Sequence, residues 1–204
     1  MVKINLGSGP VSARGWTNYD WGLLPFLGKY NLASVFIKLG LLSKEYNWKW
    51  PKISLVNIKE KLPDDDNSVD YIYCSHVLEH FKKEEALSVL SECKRVLKYS
   101  GRIRIVLPDL RKFIENYSSS EIFNREYFGF DKDLYIGFMG KIKRFFIRGH
   151  EWMYDKDSGK KLLEDAGFRN VKVCAFRKGL VPDLKSLDIE QHKKTSFYLE
   201  AENR

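Results

Sequence analysis

Two glycines and an early carboxylate near the start of the chain have the residue types and the spacing of a ligand site. Gly7 and Gly9 follow an apolar segment, and Asp20 lies only 11 residues after Gly9. Glycines at such a point let the backbone turn sharply and let a ligand approach exposed N–H groups. A carboxylate at the end of the next strand can accept hydrogen bonds from two ribose hydroxyls. These residues predict a site for a ligand that contains a ribose.

The same stretch argues against a dinucleotide. A dinucleotide fingerprint has a third glycine where this chain has Ser12, and its acidic residue lies about 20 residues further on. Pro10 and Gly15 leave room for about one helical turn, so a pyrophosphate would lack the long helix whose N-terminus usually binds it. The sequence therefore favours a ligand with a ribose and no diphosphate, and it disfavours a nicotinamide reductase.

Three side chains are candidate catalytic residues because they could take a proton from a reacting group. His76 follows the fourth predicted strand, Asp109 follows the fifth, and His150 precedes the late predicted helix. In open α/β sheets the ligand lies beyond the carboxyl ends of the strands, which is where these residues are expected. His150 is the favoured base. Lining the ligand pocket is the alternative role of His76, and capping a helix is the alternative role of Asp109.

The stretch HVLEH, residues 76–80, has the spacing of a zinc-binding histidine pair on a helix. The catalytic zinc motif places its glutamate directly after the first histidine, whereas Glu79 here precedes the second. His80, one helical turn beyond His76, is therefore predicted to cap or orient the following helix. The sequence predicts no metal site.

Strand and helix patterns alternate through most of the chain. The clearest helix covers 83–97, where apolar residues recur at three- and four-residue spacing, and a later helix ends near Ala166. This alternation predicts a mostly parallel sheet with helices on both faces. The helix-poor connection 177–195 predicts an antiparallel pair of strands at the C-terminal edge. The predicted strands are 2–6, 17–20, 53–58, 69–74, 102–107, 171–176 and 196–201.

Composition is that of an ordinary globular protein. The 204 residues are 44% apolar and 30% charged, and they predict one domain. No apolar run is long enough to span a bilayer and no signal peptide is evident, so the cytoplasm is the expected location. The cysteines are few and widely spaced, which predicts buried, reduced thiols. They are Cys74, Cys93 and Cys174.

A net charge of +8 raises the question of an anionic partner. Lysine and arginine interleave with aromatic and apolar residues over 23–50 and 138–150. One interpretation is a pair of lid helices with buried aromatic residues and solvated lysines. The other is a basic mouth for an anionic substrate, such as a nucleotide-linked sugar or a lipid-phosphate-linked glycan, or a surface for a membrane or a partner enzyme. Nucleic acid is disfavoured, since no nucleic-acid module is recognised.

Four blocks, in this order, together resemble class I S-adenosylmethionine-dependent methyltransferases over nearly the whole chain. They are INLGSGP…GWTNYD, LPDDDNSVDYIYCSHVLEHF, ECKRVLKYSGRIRIVLPDL and GHEWMYDKDSGKKLLEDAGFRNVKV. The compact form without a full first helix is similar to small enzymes of surface-polysaccharide and sugar-modifying pathways. The resemblance implies a Rossmann-like, doubly wound α/β fold with a shortened first helix. It also implies a single methyltransferase domain over 1–204, with lid-like insertions near 23–50 and 111–150.

The resemblance also assigns roles to individual residues. The first glycine turn borders the methionyl part of S-adenosylmethionine, and Asp20 holds its ribose hydroxyls. Asn57 and Ile58 fall where the family recognises adenine, and an aspartate is more usual at position 57. The segment after the fourth strand lies near the sulfonium. The implied cofactor-binding residues are Leu6, Gly7, Ser8, Gly9, Asp20, Asn57, Ile58, Ser75 and His76.

The implied reaction is direct transfer of a methyl group, which needs alignment of the nucleophile with the methyl carbon and sulfur, and a base for a hydroxyl nucleophile. We predict methylation, at oxygen, of a small-molecule or glycan-like acceptor. An RNA or nucleotide methyltransferase is one alternative. A non-catalytic cofactor-binding subunit of a partner enzyme is another, with its aromatic segments as the docking surface.

Overall fold

The computed structural model describes residues 1–128 and 149–204, apart from the side chains of residues 45 and 125–128. The strands are β1 Lys3–Leu6, β2 Thr17–Asp20, β3 Ile53–Leu55, β4 Val69–Ser75, β5 Leu97–Pro108, β6 Arg169–Cys174 and β7 Ser196–Glu202. The α-helices are α1 Leu23–Lys29, α2 Ala33–Lys38, α3 Lys83–Val96, α4 Leu110–Glu115, α5 Ser120–Phe128, α6 Lys156–Asp165 and α7 Leu184–Leu187. Short 3₁₀ turns cover Lys44–Tyr46, Leu78–His80 and Glu190–His192.

All seven strands form one sheet in the order β3-β2-β1-β4-β5-β7-β6. The pairs from β3 through β5 are parallel, whereas β7 runs antiparallel to both β5 and β6. The prediction of a mostly parallel sheet with an antiparallel C-terminal pair is confirmed. The order reverses beside β1, so the carboxyl ends of β1 and β4 meet at the topological switch point.

Two apolar clusters cover the two faces of the sheet. Leu90 of α3 and Leu163 of α6 belong to the larger cluster, which packs against Ile4 and Ile72 of the central strands. Both helices present an apolar stripe at helical spacing, as the sequence predicts. A smaller cluster covers the opposite face, where the short helix α7 and Trp16 pack against the sheet.

The connection between β1 and β2 contains turns and no helix. The sequence predicts a shortened first helix there, and the structure shortens it further. Val11 N donates to Ser8 O (3.1 Å) and Trp16 N to Ala13 O (3.2 Å), so isolated turns take the place of a helical ladder. A pyrophosphate would find no helix N-terminus at this point.

A buried arginine anchors the connection between β6 and β7. Arg104 of β5 is fully buried, and its guanidinium contacts Asp188 Oδ2 at 2.6 Å and Glu200 Oε1 at 3.0 Å. The carbonyls of Ala175 and Lys178 accept two further hydrogen bonds from it. This network stabilises residues 175–188 against the sheet although the segment has little regular structure. It also fixes the path by which the chain reaches the start of β7.

The segment 23–50 is helical in part, in agreement with the predicted helices. Leu27, Ala33 and Leu42 form a small apolar cluster of their own. Two aromatic residues are less buried than the lid-helix interpretation expects, since Phe26 is 42% exposed and Trp48 is 39% exposed. The other basic segment falls mostly on 138–148, outside the described residues.

The structure also bears on the predictions for the cysteines and for membrane-spanning segments. Cys74 and Cys93 are buried free thiols as predicted, while the free thiol Cys174 is only half-buried. Within residues 1–128 and 149–204, we find no helix whose length and apolar character would let it cross a bilayer.

Candidate active site

The glycine turn after β1 is built around the end of β2. Gly7 N and Ser8 N both donate to Tyr19 O, at 2.8 and 3.1 Å. Gly7 has a φ of +64°, and a Cβ placed there would lie 2.3 Å from Cγ2 of Val77. Position 7 therefore requires glycine both for its backbone conformation and for the close approach of the segment that follows β4.

Asp20 closes this turn from the end of β2. Its Oδ2 accepts from Gly9 N at 2.7 Å, and its Oδ1 accepts from Trp21 N at 2.8 Å. Burial raises the pKa of the Asp20 carboxyl, and the two backbone hydrogen bonds oppose that rise. A carboxylate offers about four lone pairs, so each oxygen can still accept from a ribose hydroxyl.

Space for a ligand lies beside Gly9. A Cβ built at Gly9, whose φ is +51°, would have no neighbouring atom within 4 Å. The open glycine, the adjacent half-buried carboxylate of Asp20 and the missing helix fit a nucleoside without a diphosphate. These features are therefore compatible with S-adenosylmethionine.

The side chains of four other predicted cofactor residues are buried or already hydrogen-bonded, so mainly their backbone atoms could contact a cofactor. Leu6 and Ile58 belong to the apolar core, and Ser8 is 5% exposed. Asn57 is held in a local turn, where its Nδ2 donates to Glu60 Oε1 at 2.7 Å. An adenine contact through the Asn57 side chain would have to replace or share that bond.

His76 stands at the end of β4 with both ring nitrogens engaged. It follows Ser75 and has a left-handed backbone conformation, with φ +55°. Its backbone N–H donates to Val106 O at 2.9 Å. Nδ1 lies 3.1 Å from Oε1 of Glu79, and Nε2 lies 2.9 Å from Oγ of Ser196. Since a carboxylate only accepts, Nδ1 carries the proton toward Glu79, and a neutral ring accepts at Nε2. Few residues other than glycine have a positive φ, although histidine adopts it more often than most. Those that do are enriched at functional sites.

Glu79 is fully buried beneath these side chains. Burial raises the pKa of its carboxyl, but the hydrogen bond and charge of His76, together with the charge of His80, outweigh burial and lower the pKa. The neighbouring histidines therefore favour the ionised form of this carboxylate. It can orient the His76 ring and stabilise an imidazolium that forms there.

The structure corrects the prediction for His80. It does not lie one α-helical turn beyond His76 or cap α3, since residues Leu78–His80 form a 3₁₀ turn and the N-cap of α3 is Lys82. Its Nδ1 lies 3.1 Å from Gly149 O, and its ring centroid is 5.2 Å from that of His150. The histidine partner of His80 is thus His150.

The candidate bases separate in the structure. His76 and His150 both lie near Glu79. Asp109 is the N-cap of α4, where its Oδ1 accepts from Arg111 N at 3.2 Å, so its alternative role as a helix cap is what the geometry shows.

Sequence reasoning missed two members of the cluster. Ser196 begins β7, and His192 stacks on His76 with ring centroids 3.7 Å apart. Burial, followed by the charge of His76, lowers the pKa of His192 to about 4. The usable signal was the scarcity of histidine, because the chain has only four and all four gather here.

A cavity of about 250 Å³ opens beside this cluster. Its walls include Lys112, Phe113, Tyr117 and Thr195. Lys112 Nζ also donates to Ser196 O at 3.0 Å, which links the cavity to the residue that contacts His76. The cavity combines aromatic walls with one cation.

Comparison with known proteins agrees with this fold. The family model of a methyltransferase domain matches residues 40–105. No curated protein matches the chain. An S-adenosylmethionine-dependent methyltransferase from Aquifex aeolicus has a similar structure, with a TM-score of 0.51 and 18% identity, over 100% of this chain and 82% of the other. A second S-adenosylmethionine-dependent methyltransferase, from Thermotoga maritima, has a TM-score of 0.51 and 13% identity, over 100% of this chain and 82% of the other.

The structural neighbours define the fold, which is the Rossmann-like fold of S-adenosylmethionine-dependent methyltransferases. The match to a methyltransferase domain covers residues 40–105, and together with the fold it supports a methyltransferase that uses S-adenosylmethionine as its methyl donor.

Proposed function

We propose that the chain transfers a methyl group to an oxygen of a small-molecule or glycan-like acceptor, and that His76 takes the proton from that oxygen. The observation that carries this proposal is the contact of His76 with the buried Glu79 carboxylate at 3.1 Å. A neutral amine can attack a methyl group before it loses a proton. A hydroxyl is a weak nucleophile unless a base assists it, so an oriented imidazole suits an oxygen acceptor.

The donor side of the reaction needs little from the protein beyond position. Bound S-adenosylmethionine would supply a methyl group activated by a positive sulfur. Gly9 and Asp20 would hold its nucleoside end, and the turn at Gly7 packs directly on Val77, next to His76. The chain thus places its proposed base beside its proposed cofactor site.

The acceptor is proposed to be anionic. Lys112 and the aromatic residues of the 250 Å³ cavity could bind a phosphate and a sugar or another ring, respectively. The net charge of +8 would favour approach of such a molecule. Nucleotide-linked sugars and lipid-phosphate-linked glycans fit this description.

The test is a methyl-transfer screen over nucleotide sugars and soluble glycan phosphates, followed by His76→Asn on the best acceptor. Asparagine is chosen because it tolerates positive φ. We expect kcat to fall by about 10²–10⁴-fold while the affinity for S-adenosylmethionine is kept. Ser100→Asn is the matched control, since Ser100 also has positive φ, at +64°, and lies at an exposed position of β5.

Unchanged turnover of the His76→Asn variant would refute the role of His76. Transfer to a nitrogen of the best acceptor would refute oxygen methylation. If S-adenosylmethionine bound but no acceptor were methylated without a second protein, the chain would act as a cofactor-binding subunit instead.

A further inference from the structure

The side chains around Glu79 include more potential metal-ligand atoms than a proton transfer requires. Glu79, His80 and His150 each offer one ligand atom, and these three atoms all lie within 4.8 Å of one another. Nδ1 of His76 lies 3.1 Å from Oε1 of Glu79, but among the described residues neither carboxylate oxygen has a hydrogen-bond partner of good geometry.

A buried carboxyl group whose oxygens have no hydrogen-bond donor is costly in a protein interior. Removal of such a group from water carries a free-energy penalty that hydrogen bonds or a cation must offset. Glu79 is 0% exposed, so bulk water does not reach it. A buried polar group of this kind calls for a bound water or ion.

His80 is oriented as a metal ligand would be. Gly149 O can only accept, so the hydrogen bond at 3.1 Å places the proton of His80 on Nδ1. The neutral ring then presents the lone pair of Nε2. Histidines that bind metals almost always donate their other ring N–H to a carboxylate, a carbonyl or a water in this way.

The backbone brings His150 to the same place. Glu151 N and Trp152 N both donate to the carbonyl oxygen of Glu79, at 2.8 and 3.1 Å. Together with the bond from His80 to Gly149, these contacts bind residues 149–152 to the 3₁₀ turn that carries Glu79 and His80. The three side chains are therefore held by main-chain hydrogen bonds before any ligand arrives.

We propose that Glu79, His80 and His150 bind one divalent transition-metal ion. Two imidazole nitrogens and one carboxylate oxygen suit Zn²⁺ and its first-row neighbours, whereas Mg²⁺ and Ca²⁺ prefer oxygen ligands throughout. Ligand atoms around a tetrahedral Zn²⁺ lie about 3.4 Å apart, since each bond is about 2.1 Å long. The ligand atoms now lie within 4.8 Å of one another, so side-chain rotations that shorten these distances by up to about 1.4 Å complete the site.

The ion has three protein ligands and keeps a coordination position for water or for an acceptor atom. Glu79 then serves two partners, the ion through Oε2 and His76 through Oε1. The proposal does not depend on which atom of the acceptor is methylated, because metal binding can be measured without cofactor or acceptor.

The test uses the tag-free 204-residue chain, treated with a chelator and titrated with Zn²⁺ by calorimetry. We expect one ion per chain with a Kd of about 1 µM or lower. Glu79→Gln, His80→Asn and His150→Asn should each weaken binding by at least about tenfold. Titration with Co²⁺ should add visible absorption bands that these variants reduce.

His192→Asn is the matched control, because His192 belongs to the cluster but lies outside the proposed ligand set. It should bind Zn²⁺ as the wild-type chain does. The proposal is overturned if the wild-type chain binds less than one ion, or if Glu79→Gln and His150→Asn bind Zn²⁺ as tightly as wild type. Circular dichroism and thermal melting identify a variant that fails to fold, and His150→Asn, in an irregular segment, keeps the test available if Glu79→Gln unfolds.

Discussion

Nδ1 of His76 lies 3.1 Å from Oε1 of Glu79, three residues further along the chain, and Glu79 is fully buried. The contact exists because His76 adopts a left-handed backbone conformation and Leu78–His80 form a 3₁₀ turn. The two residues turn the end of β4 into a polar site beside the proposed cofactor turn.

Asp20→Asn should weaken binding of S-adenosylmethionine by about 10–100-fold. The substitution keeps the shape of the side chain but removes the charge that strengthens hydrogen bonds from ribose hydroxyls, a loss of about 1.5–3 kcal/mol. Calorimetry with S-adenosylmethionine measures the change. Asp70→Asn is the control, since Asp70 also accepts from a backbone N–H, that of Val2, far from the site. Equal affinities of Asp20→Asn and wild type would remove Asp20 from the cofactor site.

Gly9→Ala and Gly40→Ala should cost similar stability, about 1–2 kcal/mol, because both glycines have positive φ and open space around the missing Cβ. Only Gly9→Ala should also weaken binding of S-adenosylmethionine, since its methyl group would fill the space proposed for the ligand. Urea unfolding and calorimetry separate the two effects. Equal cofactor affinity in the two variants would show that the ligand does not approach Gly9.

Arg104→Met should destabilise the chain by about 3–5 kcal/mol, because it leaves Asp188 and Glu200 buried without their cation. Arg102→Met is the matched control on the same strand. Arg102 is part-exposed, and its partner Glu202 also contacts Arg204 and Asn170, so loss of Arg102 should cost about 1 kcal/mol or less. Chemical denaturation measures both values. Similar costs for the two variants would contradict the anchoring role of Arg104.

Stability should fall as pH drops from about 6.5 to about 4, in part through His192. The pKa of His192 is lowered from 6.5 to about 4 by burial first and by His76 second, and Glu79 opposes the shift. In that pH window the unfolded chain binds a proton that the folded chain does not, so acid favours unfolding. After allowance for solvent screening of a partly exposed ring, the loss is about 1–2 kcal/mol.

Denaturation midpoints of wild type and His192→Gln, followed from pH 7 to pH 4, measure this contribution. The variant should lose less stability than wild type over the window. Parallel curves would show that His192 titrates alike in the folded and unfolded chains.

Local pattern determined much of the fold. Apolar runs bounded by turn residues predicted β2 as Thr17–Asp20, and helical spacing predicted the helix that the structure has as Lys83–Val96. Gly7, Gly9 and Asp20 could be assigned to one site because all three lie at the ends of adjacent strands. These features depend on residues close in the chain, whose spacing directly sets their geometry.

The histidine cluster needed the tertiary structure. The spacing of His76 and His80 predicted a pair on one helical face, but the chain there is a left-handed residue followed by a 3₁₀ turn, so the two rings part. His80 meets His150 from another segment, and His76 meets His192. Contacts between residues so far apart in sequence depend on how strands and loops pack, which hydrophobic periodicity does not encode. The sequence by itself thus determined the sheet and the glycine turn after β1, and only the folded chain decided which side chains surround Glu79.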